Sequence, residues 1–192
     1  MISTKTDEGL LWQLFCDGDE SAFEEIMSQY YRPLFRYGSR IWPDENVVRD
    51  CLQEVFADLW VRRSGLKGVQ SVNFYLIKAV RNHLLFEKRK LRSNAFLDEW
   101  REGDAFISEF TIETELIREE EARFRSAKLE SILNALPARQ REVIHLKFFE
   151  DLSPDQIAEM MGLNRQSVYN LLHETLRKLR GLWIFILVLI FN

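Results

Sequence analysis

Apolar residues recur at three- and four-residue intervals along most of this chain and nowhere alternate well enough to describe a strand, so the pattern predicts an all-α protein. The first predicted helix is short, Leu10 to Phe15, and ends at Asp17-Gly18-Asp19. A second runs from Ser21 to Ile41, with Phe23, Ile26, Met27, Tyr30, Leu34, Phe35 and Tyr37 inward and a kink expected at Pro33. The third begins near Asp44 and runs to Arg63. Its stripe is Val48, Leu52, Val55 and Leu59, widened by Val47, Cys51, Phe56 and Trp60, which leaves Asp50, Gln53, Glu54 and Asp58 outside. After a loop at 67–70, a fourth helix from Val72 to Leu91 starts apolar and aromatic with Phe74, Tyr75, Leu76, Ile77 and Val80. It then gathers Lys78, Arg81, Lys88, Arg89, Lys90 and Arg92, passing from core to basic surface.

The best-specified stretch is SPDQIAEMMGLNRQSVYNLLHETLRKLR, which begins at Ser153. Ser153 and Gln156 stand at capping-box spacing, and Pro154 sits where a missing N–H costs nothing. Ile157, Ala158 and Met161 face a core, Gly162 suits a left-handed helix end, and Leu163 closes the turn. Asn164 caps the next helix, whose buried side is Val168, Leu171, Leu172, Thr175, Leu176 and Leu179. Arg165, Gln166, Ser167, Tyr169, Asn170, His173 and Arg177 are left outside, where they can reach base edges and phosphates. The offsets are those of a helix-turn-helix that presents its second helix to the major groove. Upstream of it, an amphipathic helix carrying Leu129, Ile132, Leu133 and Leu136 stops at Pro137, and another spans Gln140 to Phe149.

A formal net charge of -4 argues against DNA binding until it is divided along the chain. Residues 93–126 carry ten acidic against four basic side chains, whereas the blocks on either side are close to neutral and each holds its own basic cluster. Phosphate contacts are local, so those clusters would govern affinity. The acidic segment is also weakly periodic and reads as a linker, which divides the chain into 1–92, 93–126, 127–181 and a tail at 182–192. Cys16 and Cys51 lie within apolar helical patterns and read as buried free thiols suited to a reducing cytosol. His83, His145 and His173 have no partners at metal-ligand spacing. Phosphate loop, nucleophile triad and signal peptide are all unrecognisable, so neither an enzyme, a cofactor nor export is indicated.

The tail holds ten consecutive apolar residues, LWIFILVLIF, after Arg177, Lys178 and Arg180. As a helix it would reach about 15 Å, half of the roughly 30 Å hydrocarbon core, so alone it cannot span a bilayer. Packing against this protein or a partner, or attachment at a membrane surface, remains open.

With these segments in place, the chain resembles the extracytoplasmic-function group of bacterial sigma factors, the smallest members of the sigma-seventy family. DGDESAFEEIMSQYYRPLFRYGSRI, VVRDCLQEVFADLWVRR and FYLIKAVRNHLLFEKRKLR resemble sigma region two. LNALPARQREVIHLKFFEDLSPDQIAEMMGLNRQSVYNLLHETLRKLR resembles region four. The resemblance implies two small helical domains joined by the acidic linker, in a dissociable, non-catalytic subunit of cytoplasmic RNA polymerase that recognises promoters and helps to melt them. It implies that Asp50, Gln53, Glu54, Phe56 and Trp60 meet a coiled coil of core polymerase. Lys78, Arg81, Asn82, His83, Lys88 and Arg89 would hold the melted nontemplate strand at the downstream element. Arg165, Gln166, Ser167, Tyr169, Asn170, His173 and Arg177 would read the upstream element as duplex. The acidic linker would run towards the RNA exit path, and an anti-sigma factor would hold the protein inactive. Phe86 departs from the Asp or Asn of many members, and the loop from Leu66 to Ser71 is short.

Two other classes are compatible with the same residues. A stand-alone helix-turn-helix regulator would bind duplex operators as a dimer without polymerase, and a membrane-associated adaptor would use the tail and helices for protein contacts only.

Overall fold

The computed structural model describes the backbone of residues 4–93 and 129–190 and the side chains of 8–91 and 129–181. The expected linker beyond Ser93 and the side chains of the apolar tail lie outside the described residues. Among the described residues all regular structure is helical. The chain forms two compact units, Met1–Glu99 and Trp100–Asn192.

In the first unit, α1 (Thr4–Asp17), α2 (Glu20–Ile41), α3 (Glu45–Arg62) and α4 (Val72–Ser93) pack around one core, and a single 3-10 turn at Arg63–Gly65 leaves α3. Asp19 and Asp44 start α2 and α3 by accepting bonds from the Ala22 and Asn46 N–H groups, each at 2.9 Å. α1 is longer than the predicted Leu10 to Phe15 segment. Its buried side is Trp12, Phe15 and Cys16, which turns Leu10 and Leu14 out to solvent. α2 stays continuous through Pro33. Ile26, Leu34, Tyr37 and Ile41 of α2 meet Val48, Leu52, Val55 and Leu59 of α3 and Leu76, Val80, Leu84 and Leu85 of α4 in the core. Gly38 sets how closely α2 approaches α3: a Cβ there would lie 2.7 Å from Val48 Cγ1, so a side chain would push the helices apart. The Tyr30 hydroxyl donates to the Glu8 carboxylate and ties α1 to α2.

The second unit holds a helix at 129–134 (α5), α6 (Ala138–Phe148), α7 (Pro154–Met161) and α8 (Arg165–Ile190). Ile132, Leu133, Leu136, Val143, Ile144 and Leu146 form its core with Ile157, Ala158, Met161, Val168 and Leu172. Leu176 was expected inside and is 45% exposed. The buried stripe of α8 is Val168, Leu172 and Thr175, and Leu176 falls to one side of it. Both cysteines are buried free thiols. Burial pushes the Cys51 thiol up to about 12, helped by Glu54 and Glu87, and burial raises Cys16 as well.

Candidate nucleic-acid interface and apolar groove

The α7–turn–α8 unit is built by local chemistry. Ser153 Oγ accepts from Gln156 N–H at 3.3 Å while Gln156 Oε1 accepts from Ser153 N–H at 2.8 Å, a complete capping box. Gly162 takes φ +62°, and its N–H and that of Leu163 both bond the Ala158 carbonyl, which closes α7 and reverses the chain. Asn164 Oδ1 accepts from Ser167 N–H at 2.7 Å and starts α8. Lys178 Nζ donates to Gln140 Oε1 at 3.2 Å, tying α8 to α6. At the entry to α7, His145 Nε2 lies 3.0 Å from Glu150 Oε1, with its ring stacked on Phe149.

This packing leaves one side of α8 to solvent. Gln166, Asn170, His173 and Arg177 recur at the spacing of a single helical stripe, opposite Val168, Leu172 and Thr175, and all four are exposed. Arg165 and Tyr169 stand beside them. These residues bond mainly to one another: Arg165 donates to the Tyr169 hydroxyl at 3.4 Å, and Gln166 Nε2 to Asn170 Oδ1 at 3.0 Å. Arg165 also lies 3.4 Å from Asp155, so the Tyr169 bond and then Asp155 push its pKa up. Ser167 is only partly exposed. Such a face can exchange weak internal bonds for bonds to bases and phosphates.

The basic end of α4 is arranged differently. Arg81 is 6% exposed, so its guanidinium belongs to the fold rather than the surface. Lys88 donates to the Ile41 carbonyl at the end of α2 and lies over the Trp42 ring, a cation placed at a helix C-terminus. Arg89 bonds the Leu85 carbonyl at 3.3 Å and remains exposed. Tyr75, Lys78, Asn82 and His83 of α4 come together in a groove of about 570 Å³ between α3 and α4, with Glu54, Asp58 and Arg62 of α3 on its other wall. His83 Nε2 is 3.5 Å from Glu54 Oε2, so Glu54 shares this groove with the downstream-element candidates.

Gln53, Phe56 and Trp60 border a second groove, of about 690 Å³, with Phe23, Met27 and Tyr31 of α2. Phe56 is 5% exposed and forms its floor, while Asp50 stays exposed on α3. The Phe23 ring packs tilted against Trp60 at 5.0 Å, and Phe15 joins them from α1. The sequence reading placed Phe23 and Met27 in the core and did not single out Tyr31. Their signal was the i, i+4, i+8 spacing of an apolar row beside the stripe that α2 needs for its core. Among the described residues no cluster of three His, Cys, Asp or Glu side chains could hold a metal, and no helix is long and apolar enough to cross a membrane.

Residues 126–179 match the family model "Sigma-70, region 4". The chain is 27% identical over 143 residues to RNA polymerase sigma factor SigZ of Bacillus subtilis, covering 73% of this chain and 75% of that protein. It is 25% identical to the RNA polymerase sigma-E factor of Streptomyces coelicolor over 85% of this chain and 86% of that one. Among solved structures, the sigma factor RpoE in complex with the anti-sigma factor NepR from Bartonella quintana is similar in fold. The TM-score is 0.59 at 15% identity, over 84% of this chain and 96% of the other.

Proposed function

We propose that the chain is a sigma factor of the extracytoplasmic-function group of the sigma-70 family, and that it directs bacterial core RNA polymerase to a promoter set and assists strand opening. The observation that carries this reading is the division of binding surfaces between the two units, with a polar, exposed recognition stripe on α8 and an apolar groove between α2 and α3. The role is one of binding and not of catalysis, and it is exercised in the cytoplasm, where polymerase and promoters meet.

Arg165, Gln166, Tyr169, Asn170, His173 and Arg177 read the upstream element as duplex, with Ser167 at the edge of the contact. Lys78, Asn82, His83 and exposed Arg89 hold the melted nontemplate strand, while Arg81 and Lys88 support α4 from within. The groove floored by Phe56 and walled by Trp60 receives core polymerase, with Asp50, Gln53 and Glu54 along its polar edge. An anti-sigma factor inhibits by covering these surfaces, and the apolar segment 182–191 serves contact with such a partner or a membrane surface. The units 1–92 and 127–181 act as separate binding domains tethered by 93–126.

The test is equilibrium binding of the full chain to core polymerase, comparing wild type with Trp60→Ala. Removal of a large aromatic wall from a docking groove is expected to lower affinity by about 10- to 100-fold. Wild-type affinity in that variant would remove the groove from the polymerase contact, and absence of any wild-type binding would remove the sigma reading.

A further inference from the structure

The segment between α3 and α4 is short, yet it is held from the far end of the unit. The Trp12 indole N–H donates to the Leu66 carbonyl at 3.1 Å, across 54 residues of sequence. Asp17 Oδ1, at the end of α1, accepts from Lys67 Nζ at 2.6 Å across 50 residues. The other bonds of the loop are local: Leu66 N–H to the Arg63 carbonyl and Val69 N–H to the Leu66 carbonyl, both at 3.1 Å, Gln70 Nε2 to the Gly68 carbonyl at 3.3 Å, and Ser71, which accepts from Phe74 and Tyr75 N–H at the start of α4. Nothing approaches within 4 Å of the Cβ positions of Gly65 or Gly68. Trp12 is itself buried, 5.0 Å from Phe15 and 6.2 Å from Tyr75 on α4. A single indole therefore touches both the loop and the helix it leads into.

Neither bond is the main support of the fold: the Leu66 carbonyl keeps its Val69 bond if the indole donor is lost. The Asp17–Lys67 pair is exposed on both sides, a setting in which ion pairs add little stability.

We propose that α1 is a latch that pre-organises the Leu66–Ser71 loop for capture of single-stranded DNA, with Trp12 and Asp17 as its positioning residues. This rests on the reading of α4 as the helix that captures the melted strand, and on the loop being the segment that leads into it. A loop ordered before the strand arrives spares the entropy of ordering it on binding. Lys67 is thereby held against α1, which fixes the start of the loop.

The test uses full-length protein assembled with core polymerase and a randomised single-stranded DNA pool enriched on the wild-type complex. Trp12→Phe keeps an aromatic ring and removes the donor, at the cost of part of the indole's buried volume. Asp17→Asn keeps the shape and removes the charge. Both are expected to bind the enriched pool about fivefold to tenfold more weakly with core affinity unchanged, and the thermal midpoint is expected to stay put in Asp17→Asn and to fall only by the lost packing in Trp12→Phe. The sign of the Asp17→Asn effect is decisive: a carboxylate that merely repels DNA would give tighter binding when neutralised, and that result overturns the latch. So does wild-type affinity in Trp12→Phe. Asn82→Ala separates the two levels. If it loses the pool while both α1 variants keep it, only the latch falls; if it keeps the pool too, or nothing is enriched on wild type, the strand-capture reading falls and the latch with it.

Discussion

The exposed polar stripe of α8 and the basic end of α4 look alike as strings of residues and differ in what the fold does with them. On α8, Gln166, Asn170, His173 and Arg177 share the face opposite the core, and their bonds are weak and local. On α4, Arg81 is buried within the first unit, and Lys88 is spent on the Ile41 carbonyl, which ties α4 to the end of α2. A cluster of positive residues becomes an interface only on the helix face that packing leaves open.

The largest expected effect breaks that contrast on the α4 side. Arg81→Ala should destabilise the first unit by about 2 to 3 kcal/mol in denaturant titration, because it strips a buried charged group from its surroundings. Arg177→Ala on the open stripe should change stability of the second unit by less than about 0.5 kcal/mol. Equal losses would mean that burial does not separate the two sets.

The next effect sharpens the α8 side. Arg165→Ala or Gln166→Ala should cost about 1 to 3 kcal/mol of discrimination at the upstream element and change base preference, measured by promoter selection with assembled polymerase. Lys88→Ala should leave base preference intact and show itself as a smaller stability loss of about 0.3 to 1 kcal/mol, the worth of a cation at a helix C-terminus.

How much of this was legible in the sequence follows the range of each interaction. The helix-turn-helix was readable because its determinants are local: Ser153 with Gln156, Gly162 at the turn, Asn164 before α8. Arg81 was half legible, since it shares a helical face with Ile77, Leu84, Leu85 and Lys88, yet charge counting gave it to the surface. The α2–α3 groove was not legible, because Phe23 and Met27 read equally well as core, and nothing marks Tyr31, until α1 and α3 are in place. The Trp12–Leu66 bond spans 54 residues and left no local sign.

The units should also differ at alkaline pH. Cys51 is pushed up to about 12 from the ordinary 9.0, so the folded first unit keeps a proton that the unfolded chain gives up. The stability this confers is complete below pH 9 and is lost as pH rises from 9 towards 12. Both cysteines lie in the first unit, so an alkaline melt should show this loss there and Cys51→Ala should remove it. An unchanged slope in that variant would assign the loss to other groups.

The central claim is that the α8 stripe reads promoter DNA on behalf of core polymerase, and in vitro transcription across genomic fragments tests it most directly. Core polymerase with this protein should start transcripts from a defined promoter set, and Gln166→Ala should shift or reduce that set while leaving core binding intact. Tight operator binding by the isolated protein, with no promoter-specific transcript from core polymerase in its presence, would contradict the account.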